Sequence, residues 1–181
     1  MMKQDLRDQL MARRRAITSE ERAKCDAALK LHVLAWWERQ PVTSVGVYWP
    51  IRGEPDLQAA YAGLAQRGVQ LALPVVVRVN APLQFAKWTP GDALVTGAMK
   101  VPVPSPPQVI IHPEALLIPC VGFNRQRMRL GYGGGYYDRT LATNPRPLAI
   151  GIAYHGSLAT FAADPHDIAL DAIITEDGRF D

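Results

Sequence analysis

The sequence contains few of the residues that build disulfide scaffolds or metal centres. It has only two cysteines, Cys25 and Cys120, which lie far apart in the chain and belong to no Cys-x-x-Cys pair. This pattern excludes a disulfide framework, and we expect both cysteines to be reduced, buried thiols of a cytoplasmic protein. The four histidines show no metal-ligand spacing. We therefore expect side chains other than cysteine and histidine to carry the function of the protein.

Long hydrophobic runs and a strong excess of charge are also missing. No apolar run approaches the ~20 residues that a transmembrane helix needs. The N-terminus mixes charged with apolar residues, which is not the pattern of a secretory signal. The formal net charge is only +3. This mild excess fits an anionic ligand but does not indicate nucleic acid, and no RNA-binding motif is present.

Local patterns predict helices and strands in alternation. Residues 3–15 have the pattern of a basic amphipathic helix, and Thr18-Ser19-Glu20-Glu21 is a capping box that predicts the start of a second helix. The proline-rich segment 102–107 is predicted to be an exposed loop. Further helices are predicted over 56–66 and 136–142, and strands over 45–49, 69–77, 83–88, 115–121, 148–153 and 172–175. We therefore expect an α/β fold, a single domain over residues 1–181 with a mostly parallel sheet and helices on both faces.

The segment from Arg129 to Arg139, which reads RLGYGGGYYDR, carries the strongest functional signal. Glycine lets the backbone approach a ligand closely, and successive N–H groups in such a loop form a concave anion site. The helix predicted to follow would direct its positive end at the same anion. A glycine cluster can also be a plain flexible turn, and the segment matches neither standard nucleotide fingerprint. Arg129 and Asp138 beside the glycines favour a nucleotide with a divalent metal.

The stretch from Pro119 to Leu141, PCVGFNRQRMRLGYGGGYYDRTL, resembles the signature of the 5-formyltetrahydrofolate cyclo-ligases, close to PGxAFDxxGxRLGxGGGYYDRxL. The resemblance extends to both ends of the chain. Lys3 and Arg7 fit the opening Lys-x-x-x-Arg, the segment 48–54 fits a strand followed by a glutamate, and the segments 151–154 and 167–171 fit the closing strand and acidic tail. The resemblance implies a three-layer α/β enzyme that converts 5-formyltetrahydrofolate to 5,10-methenyltetrahydrofolate with ATP and Mg²⁺, releasing ADP and phosphate.

The same resemblance implies roles for individual residues. Arg129 and Lys3 would act in catalysis, and Asp138 and Asp167 would hold Mg²⁺, with Asp171 a weaker candidate. The residues implied in ATP binding are Lys3, Arg7, Arg129, Gly131, Gly133, Gly134, Gly135, Tyr136 and Tyr137. Those implied in folate binding are Trp49, Glu54, Tyr132 and Tyr136, with Trp88 a weaker candidate for an aromatic floor. ATP and 5-formyltetrahydrofolate would be the only partners, without nucleic acid, a membrane or an obligate protein partner.

The residues themselves leave two questions open, one about the basic stripe of the first helix and one about the activity of the protein. Lys3, Arg7 and Arg14 share one helical stripe, which is also the pattern of a solvated face, and Arg14 is assigned to that face. Four positions depart from the family pattern: Asn124 replaces Asp, Arg127 replaces Gly, Val103 replaces Glu and Ser157 replaces Gln. The alternative function is a weakened homologue that binds nucleotide or reduced folate as a regulatory module.

Overall fold

The computed structural model describes all residues, 1–181. Four α-helices and twelve strands follow the chain. The helices are α1 (Lys3–Ala16), α2 (Ser19–Arg39), α3 (Gln58–Gln66) and α4 (Tyr136–Leu141), and short 3₁₀ turns lie at Ala98–Lys100 and His155–Ser157. The strands are β1 (Ser44–Gly46), β2 (Gln70–Val75), β3 (Gln84–Trp88), β4 (Leu94–Thr96), β5 (Pro102–Pro104), β6 (Ile110–Ile111), β7 (Ala115–Pro119), β8 (Gly122–Phe123), β9 (Arg129–Leu130), β10 (Leu148–Ile152), β11 (Ala172–Thr175) and β12 (Gly178–Phe180).

Eight strands form one sheet in the order β12-β11-β10-β7-β1-β2-β3-β6. The five central strands, β11 to β2 in that order, are parallel, while β12, β3 and β6 pair antiparallel at the two edges. The strands β4 and β5 form a separate hairpin, as do β8 and β9. The predicted α/β class and mostly parallel sheet are therefore confirmed.

Alternate residues of the central strands build two cores on opposite faces of the sheet. Leu117 of β7 joins the core that packs under α2 and α3, whereas its neighbours Leu116 and Ile118 join the core that includes Leu141 of α4. This alternation is the period-two pattern of a strand that is buried on both faces. Helix α1 packs through Leu10 against the β8–β9 hairpin, at one end of the sheet. Its first turns can therefore reach the loops that leave the strands.

The capping box begins α2 as predicted, because the Thr18 side chain accepts from the Glu21 N–H and the Glu21 side chain accepts from the Thr18 N–H. The exposed loop predicted over 102–107 is wrong in its first half. Pro102–Pro104 pairs with β4, and Val103 and Pro104 are buried. Proline is tolerated there because a two-stranded ribbon leaves one side of each strand without a partner.

Two further findings concern the hydropathy of the helices and the burial of the cysteines. No helix combines the length and the hydropathy that crossing a membrane requires. Both cysteines are unpaired, but only Cys120 is buried, and Cys25 is partly exposed. The prediction that both thiols are buried is therefore wrong for Cys25, which lies on the long helix α2 beside the surface.

Candidate functional site

A cavity of about 940 Å³ opens at the carboxyl ends of the parallel strands. The strand ends reach its wall at Tyr48 and Trp49 after β1 and at Pro119 of β7. Open α/β sheets bind ligands at this edge, because the loops that follow neighbouring strands converge there. Apart from the weaker candidates Trp88 and Asp171, the residues implied in catalysis and binding all line this cavity: Lys3, Arg7, Trp49, Glu54, Arg129, Gly131, Tyr132, Gly133, Gly134, Gly135, Tyr136, Tyr137, Asp138 and Asp167.

The glycine loop, residues 131–135, forms one wall of the cavity. The backbone N–H groups of residues 131–138 donate no hydrogen bond to any group of the protein. A Cβ at Gly131 would lie 2.6 Å from Nη1 of Arg129 and would displace that guanidinium, and Gly133 has a φ of +99°, which other residues rarely adopt. The loop thus presents a row of unpaired donors to an anion.

Helix α4 follows the loop as predicted but has only six residues. Its dipole is correspondingly small, because the dipole grows with the number of aligned peptide units. The Arg139 side chain donates from Nη1 to the Gly134 carbonyl at 2.7 Å and so ties the loop to the helix. The unpaired N–H groups, more than the helix dipole, therefore make the loop attractive to an anion.

Two guanidinium groups flank the glycine loop. Arg7 of α1 donates from Nε to the Gly131 carbonyl at 2.8 Å, and its Cζ lies 3.7 Å from the position that a Cβ of Gly133 would take. Arg129 donates from Nε to the Pro119 carbonyl at 2.8 Å and lies over the Tyr137 ring, 4.9 Å from the centroid. Each arginine uses Nε to fix its place in the protein. The positive charge of both is held beside the loop.

Lys3 reaches the opposite end of the chain. Its Nζ donates to Asp164 at 2.7 Å and to Asp167 at 2.9 Å. Burial opposes the charged form of Lys3, but the hydrogen bonds to both carboxylates prevail and raise its pKa above the usual 10.5. The predicted phosphate-binding lysine and the predicted metal ligand Asp167 are therefore direct partners.

Asp138 is half-buried near this pair, and the Ile168 N–H lies 3.4 Å from its Oδ1. Burial raises the pKa of Asp138, and the nearby Asp167 charge raises it further. A cation that contacted both carboxylates would offset the repulsion between them and favour the charged form of Asp138. No three His, Cys, Asp or Glu side chains of this chain form a cluster that could hold a metal. Asp138 and Asp167 can thus supply two ligands at most, as Mg²⁺ often requires when phosphate and water complete its shell.

Glu54 also lines the cavity and is only 5% exposed. One carboxylate oxygen accepts from the Ile51 N–H at 2.9 Å, and the other accepts from the Tyr132 hydroxyl at 2.9 Å. Burial raises the pKa of Glu54, while these bonds and the charges of Arg14 and Arg129 oppose the rise. Trp49 also lines the cavity. These two residues offer a buried acceptor and an aromatic surface, which suit a flat heterocycle with N–H donors.

Three assignments made from the sequence require correction. Arg14 is not solvated: it is 3% exposed, because α1 turns this side chain toward Tyr132 and the segment that carries Glu54. Trp88 does not line the cavity but packs edge-to-face behind Trp49, with ring centroids 6.2 Å apart. Asp171 pairs with Arg146 and accepts from the Ala149 N–H, so its contacts are structural.

Two of the four departures from the family pattern, Asn124 and Arg127, have local explanations. The Asn124 Oδ1 accepts from the N–H groups of Gln126 and Met128, and its amide donates to the Phe161 carbonyl at 3.1 Å, which a carboxylate could not do. Arg127 takes a φ of +59°, a conformation that favours the usual glycine, and donates from Nε to Leu170. Asn124, Arg127 and Ser157 do not line the cavity, whereas Val103 does.

The sequence did not single out several cavity residues. Asp164 precedes Asp167 by three positions, and this spacing of two acids is the sequence signal that could have indicated a shared contact with Lys3. Arg139 was visible within the glycine-rich segment, but only the fold shows it closing on Gly134. Ala98, Met99 and Val101, between β4 and β5, also line the cavity, and no sequence pattern indicates this because the hairpin meets the site only through the tertiary fold.

Comparison with known proteins agrees with this geometry. The chain is 30% identical to a 5-formyltetrahydrofolate cyclo-ligase of Mycoplasma pneumoniae over 98% of this chain and 100% of the relative. It is 30% identical to one of Mycolicibacterium smegmatis over 96% of this chain and 93% of the relative. The relatives thus match nearly from end to end.

Solved structures give the same result for the fold. A 5,10-methenyltetrahydrofolate synthetase of Mycoplasma pneumoniae superposes with a TM-score of 0.81 at 27% identity, covering 97% of this chain and 99% of the other. The Aquifex aeolicus 5,10-methenyltetrahydrofolate synthetase gives 0.80 at 27% identity, covering 99% and 92%. The model of the 5-formyltetrahydrofolate cyclo-ligase family matches residues 1–176. With the cavity and its glycine loop, these matches show that the chain belongs to the 5-formyltetrahydrofolate cyclo-ligase family.

Proposed function

We propose that this protein converts 5-formyltetrahydrofolate to 5,10-methenyltetrahydrofolate in an ATP- and Mg²⁺-dependent reaction that releases ADP and phosphate. One observation carries the proposal. The unpaired N–H groups of the glycine loop and the buried Glu54 carboxylate lie on the walls of the same cavity. A single cavity therefore offers donors for a polyphosphate and an acceptor for the N–H groups of a pterin.

The phosphate end is supported by charge and by hydrogen-bonding capacity. Arg7 and Arg129 retain guanidinium N–H groups beyond the Nε bonds that position them. A planar guanidinium can contact two phosphate oxygens at once, whereas the loop N–H groups contact them singly. Lys3 would shift from its carboxylates toward a phosphate oxygen as a point charge. These groups would stabilise the charge of a phosphoryl group during transfer.

The chemistry explains the use of ATP. An amide oxygen is a poor leaving group, so the formyl oxygen first attacks the γ-phosphorus and the bond to ADP breaks. N10 of the folate then forms a bond to the formyl carbon and loses its proton. Phosphate leaves with the former formyl oxygen, and the methenyl bridge remains. The protein would contribute mainly position and neutralised charge, since no Ser/His/Asp or Cys/His set indicates a covalent nucleophile.

The folate end is supported by Glu54 and Trp49. Both oxygens of Glu54 already accept one hydrogen bond each, and each retains a further lone pair for an N–H donor of the pterin. The Trp49 ring provides an apolar surface beside it. Tyr132, which belongs to the glycine loop and bonds Glu54, and Tyr136 also line the cavity. The formyl group would thus lie between the pterin end and the phosphate end.

Asp138 and Asp167 are the residues that would hold Mg²⁺. Their mutual repulsion and the half-buried position of Asp138 favour a bound cation. When bound, the ion would neutralise phosphate oxygens and bring the terminal phosphate to the loop. The unpaired cysteines, Cys25 and Cys120, support the proposal that the protein works in the reducing cytoplasm.

The test is a coupled measurement of both products. Purified protein is mixed with 5-formyltetrahydrofolate and MgATP, and the methenyl product is followed by absorbance while ADP is measured separately. We expect ADP and the methenyl product in equal amounts, and neither product when folate, ATP or Mg²⁺ is omitted. Binding of both ligands without product would instead support the regulatory module. The structural explanations for Asn124 and Arg127 favour the enzyme, because neither departure removes a group from the cavity.

A further inference from the structure

Arg14 is a buried cation without an acidic partner in direct contact. Its side chain forms no salt bridge, although it is only 3% exposed. Its Nε donates to the Arg52 carbonyl at 3.1 Å, and its Nη2 lies 2.6 Å from the Tyr132 hydroxyl oxygen and 3.1 Å from the Met11 sulfur. A buried charge is costly unless it is compensated. The compensation for Arg14 must therefore come through a neighbour.

The neighbour is the Tyr132 hydroxyl, and its hydrogen bonds can run in only one direction. Guanidinium groups only donate, so the hydroxyl accepts from Arg14. Its single hydrogen is then free for the Glu54 Oε1, 2.9 Å away. Burial raises the pKa of Tyr132 to about 12, which keeps that hydrogen in place at neutral pH. Arg14, Tyr132 and Glu54 thus form a directed chain, here called the Arg14 relay.

Arg14 also contacts the turn at Arg52 and Gly53, which directly precedes Glu54. Arg52 and Gly53 take positive φ values of 49° and 74°, so this turn is not a conformation that the backbone adopts readily. Arg14 holds the turn through the Arg52 carbonyl, and Arg22 holds it through the Gly53 carbonyl at 2.6 Å. Of these two arginines, only Arg14 also donates a hydrogen bond to Tyr132, the partner of the carboxylate. Position and charge of Glu54 therefore depend on the same arginine.

The other groups around Glu54 do not replace Arg14. Arg129 also favours the carboxylate electrostatically, but its Nε is committed to the Pro119 carbonyl and its ring partner is Tyr137. Arg52 lies over the Tyr132 ring, 5.0 Å from its centroid, but donates no hydrogen bond to Tyr132 or Glu54. Burial raises the pKa of Tyr48, Tyr61, Tyr137 and Cys120, which also interact with Glu54, so these four side chains are neutral at physiological pH. Arg14 is thus the one cation linked to Glu54 by a continuous path of hydrogen bonds.

We propose that Arg14 is a positioning residue for folate: through the Tyr132 hydroxyl it holds the Glu54 carboxylate ionised and oriented toward the N–H donors of the substrate. This inference rests on the proposed function. It assigns Arg14 to folate recognition and separates it from Lys3 and Arg7 of the same helix, which face the phosphate end. Loss of the relay should therefore affect folate much more than ATP.

The experiment is a double-mutant cycle of Arg14→Gln and Tyr132→Phe, with KM measured for both substrates. We expect Arg14→Gln to raise the KM for folate about tenfold, which is ~1.4 kcal/mol, with the KM for ATP within about twofold. In the Tyr132→Phe background, the same change should alter the folate KM by less than about twofold. Arg14→Lys, which keeps the charge, should recover most of the loss.

Arg22→Gln is the matched control. It removes the bonds from Arg22 to the Gly53 carbonyl and to the Arg14 backbone carbonyl but leaves the side-chain contacts of Arg14, Tyr132 and Glu54 in place, and its folate KM should stay within about twofold of wild type. If Arg14→Gln does not fold, the cycle is run with Arg14→Lys, whose smaller folate defect must disappear beside Tyr132→Phe. Independent, multiplicative effects in the cycle would overturn the relay. So would an unchanged folate KM in folded Arg14→Gln, or equal losses for both substrates. Failure of the proposed function is distinguishable, since wild type itself would then form no methenyl product.

Discussion

Gly133 provides the sharpest test of the glycine loop, because a matched control exists elsewhere in the chain. Gly133 has a φ of +99°, and Gly91, in the turn after β3, has a φ of +100°. A Cβ at Gly91 would meet nothing within 4 Å, whereas one at Gly133 would lie 3.7 Å from Arg7 Cζ. The change to alanine thus places a side chain at nearly the same positive φ in both cases, while the methyl group faces Arg7 at Gly133 and open space at Gly91.

The magnitudes can be worked out separately for stability and binding. A non-glycine residue in this region costs about 1–2 kcal/mol, part of which the reduced freedom of the unfolded chain offsets. A net loss of ~1 kcal/mol lowers Tm by about 2–4 °C in a chain of this size. The methyl group at Gly133 makes ordinary contact with Arg7 without a clash, but it fills space that a phosphate oxygen needs in order to contact both loop and guanidinium. We expect ATP to bind at least about tenfold more weakly, or ~1.4 kcal/mol.

Calorimetry with ATP and with folate, together with thermal unfolding, measures these quantities. Both Gly133→Ala and Gly91→Ala should lower Tm to a similar extent, but only Gly133→Ala should weaken ATP binding, and neither should change folate binding more than about twofold. Wild-type ATP affinity in Gly133→Ala would refute the phosphate cradle. Equal losses for both ligands would instead identify the loop as a structural turn.

Three further outcomes are expected. Arg129→Ala should lower kcat at least about 100-fold, because losing a charged contact to a transferring phosphoryl group costs ~3 kcal/mol. An unchanged kcat in the folded variant would show that Arg129 has no part in catalysis. Lys3→Ala should raise the KM for ATP at low ionic strength and raise it less at high salt; a salt-independent KM would mean that Lys3 serves only its pairs with Asp164 and Asp167. Because burial raises the pKa of Glu54 above the usual 4.5, folate binding should weaken as pH falls through that raised value and the carboxylate takes up a proton. The acidic limb of kcat/KM for folate should therefore lie above pH 4.5 and disappear in Glu54→Gln, and a limb that persists in this variant would belong to another group.

Local features of the molecule were predictable because their signals lie within a few residues of each other. The capping box at Thr18–Glu21 begins a helix whatever surrounds it, because both hydrogen bonds close within four residues. The segment 129–139 combines glycines, cations and an acid so densely that the loop and its chemistry could be inferred together. The implied folate and metal residues, in contrast, came from family resemblance, and their roles remain predictions.

Only the tertiary structure decided what distant segments do to each other. The strand order depends on pairings such as β1 with β7, which join residues about 70 positions apart and leave no periodicity in the sequence. Val103 was expected in an exposed loop but is buried on the cavity wall, because the β4–β5 hairpin folds over the sheet end. Arg14 has the same helical spacing as a solvated cation, and its burial follows from Tyr132, which is 118 residues away. Helical periodicity predicts which side chains share a face, but only the packing of the whole chain determines which face is covered and by what.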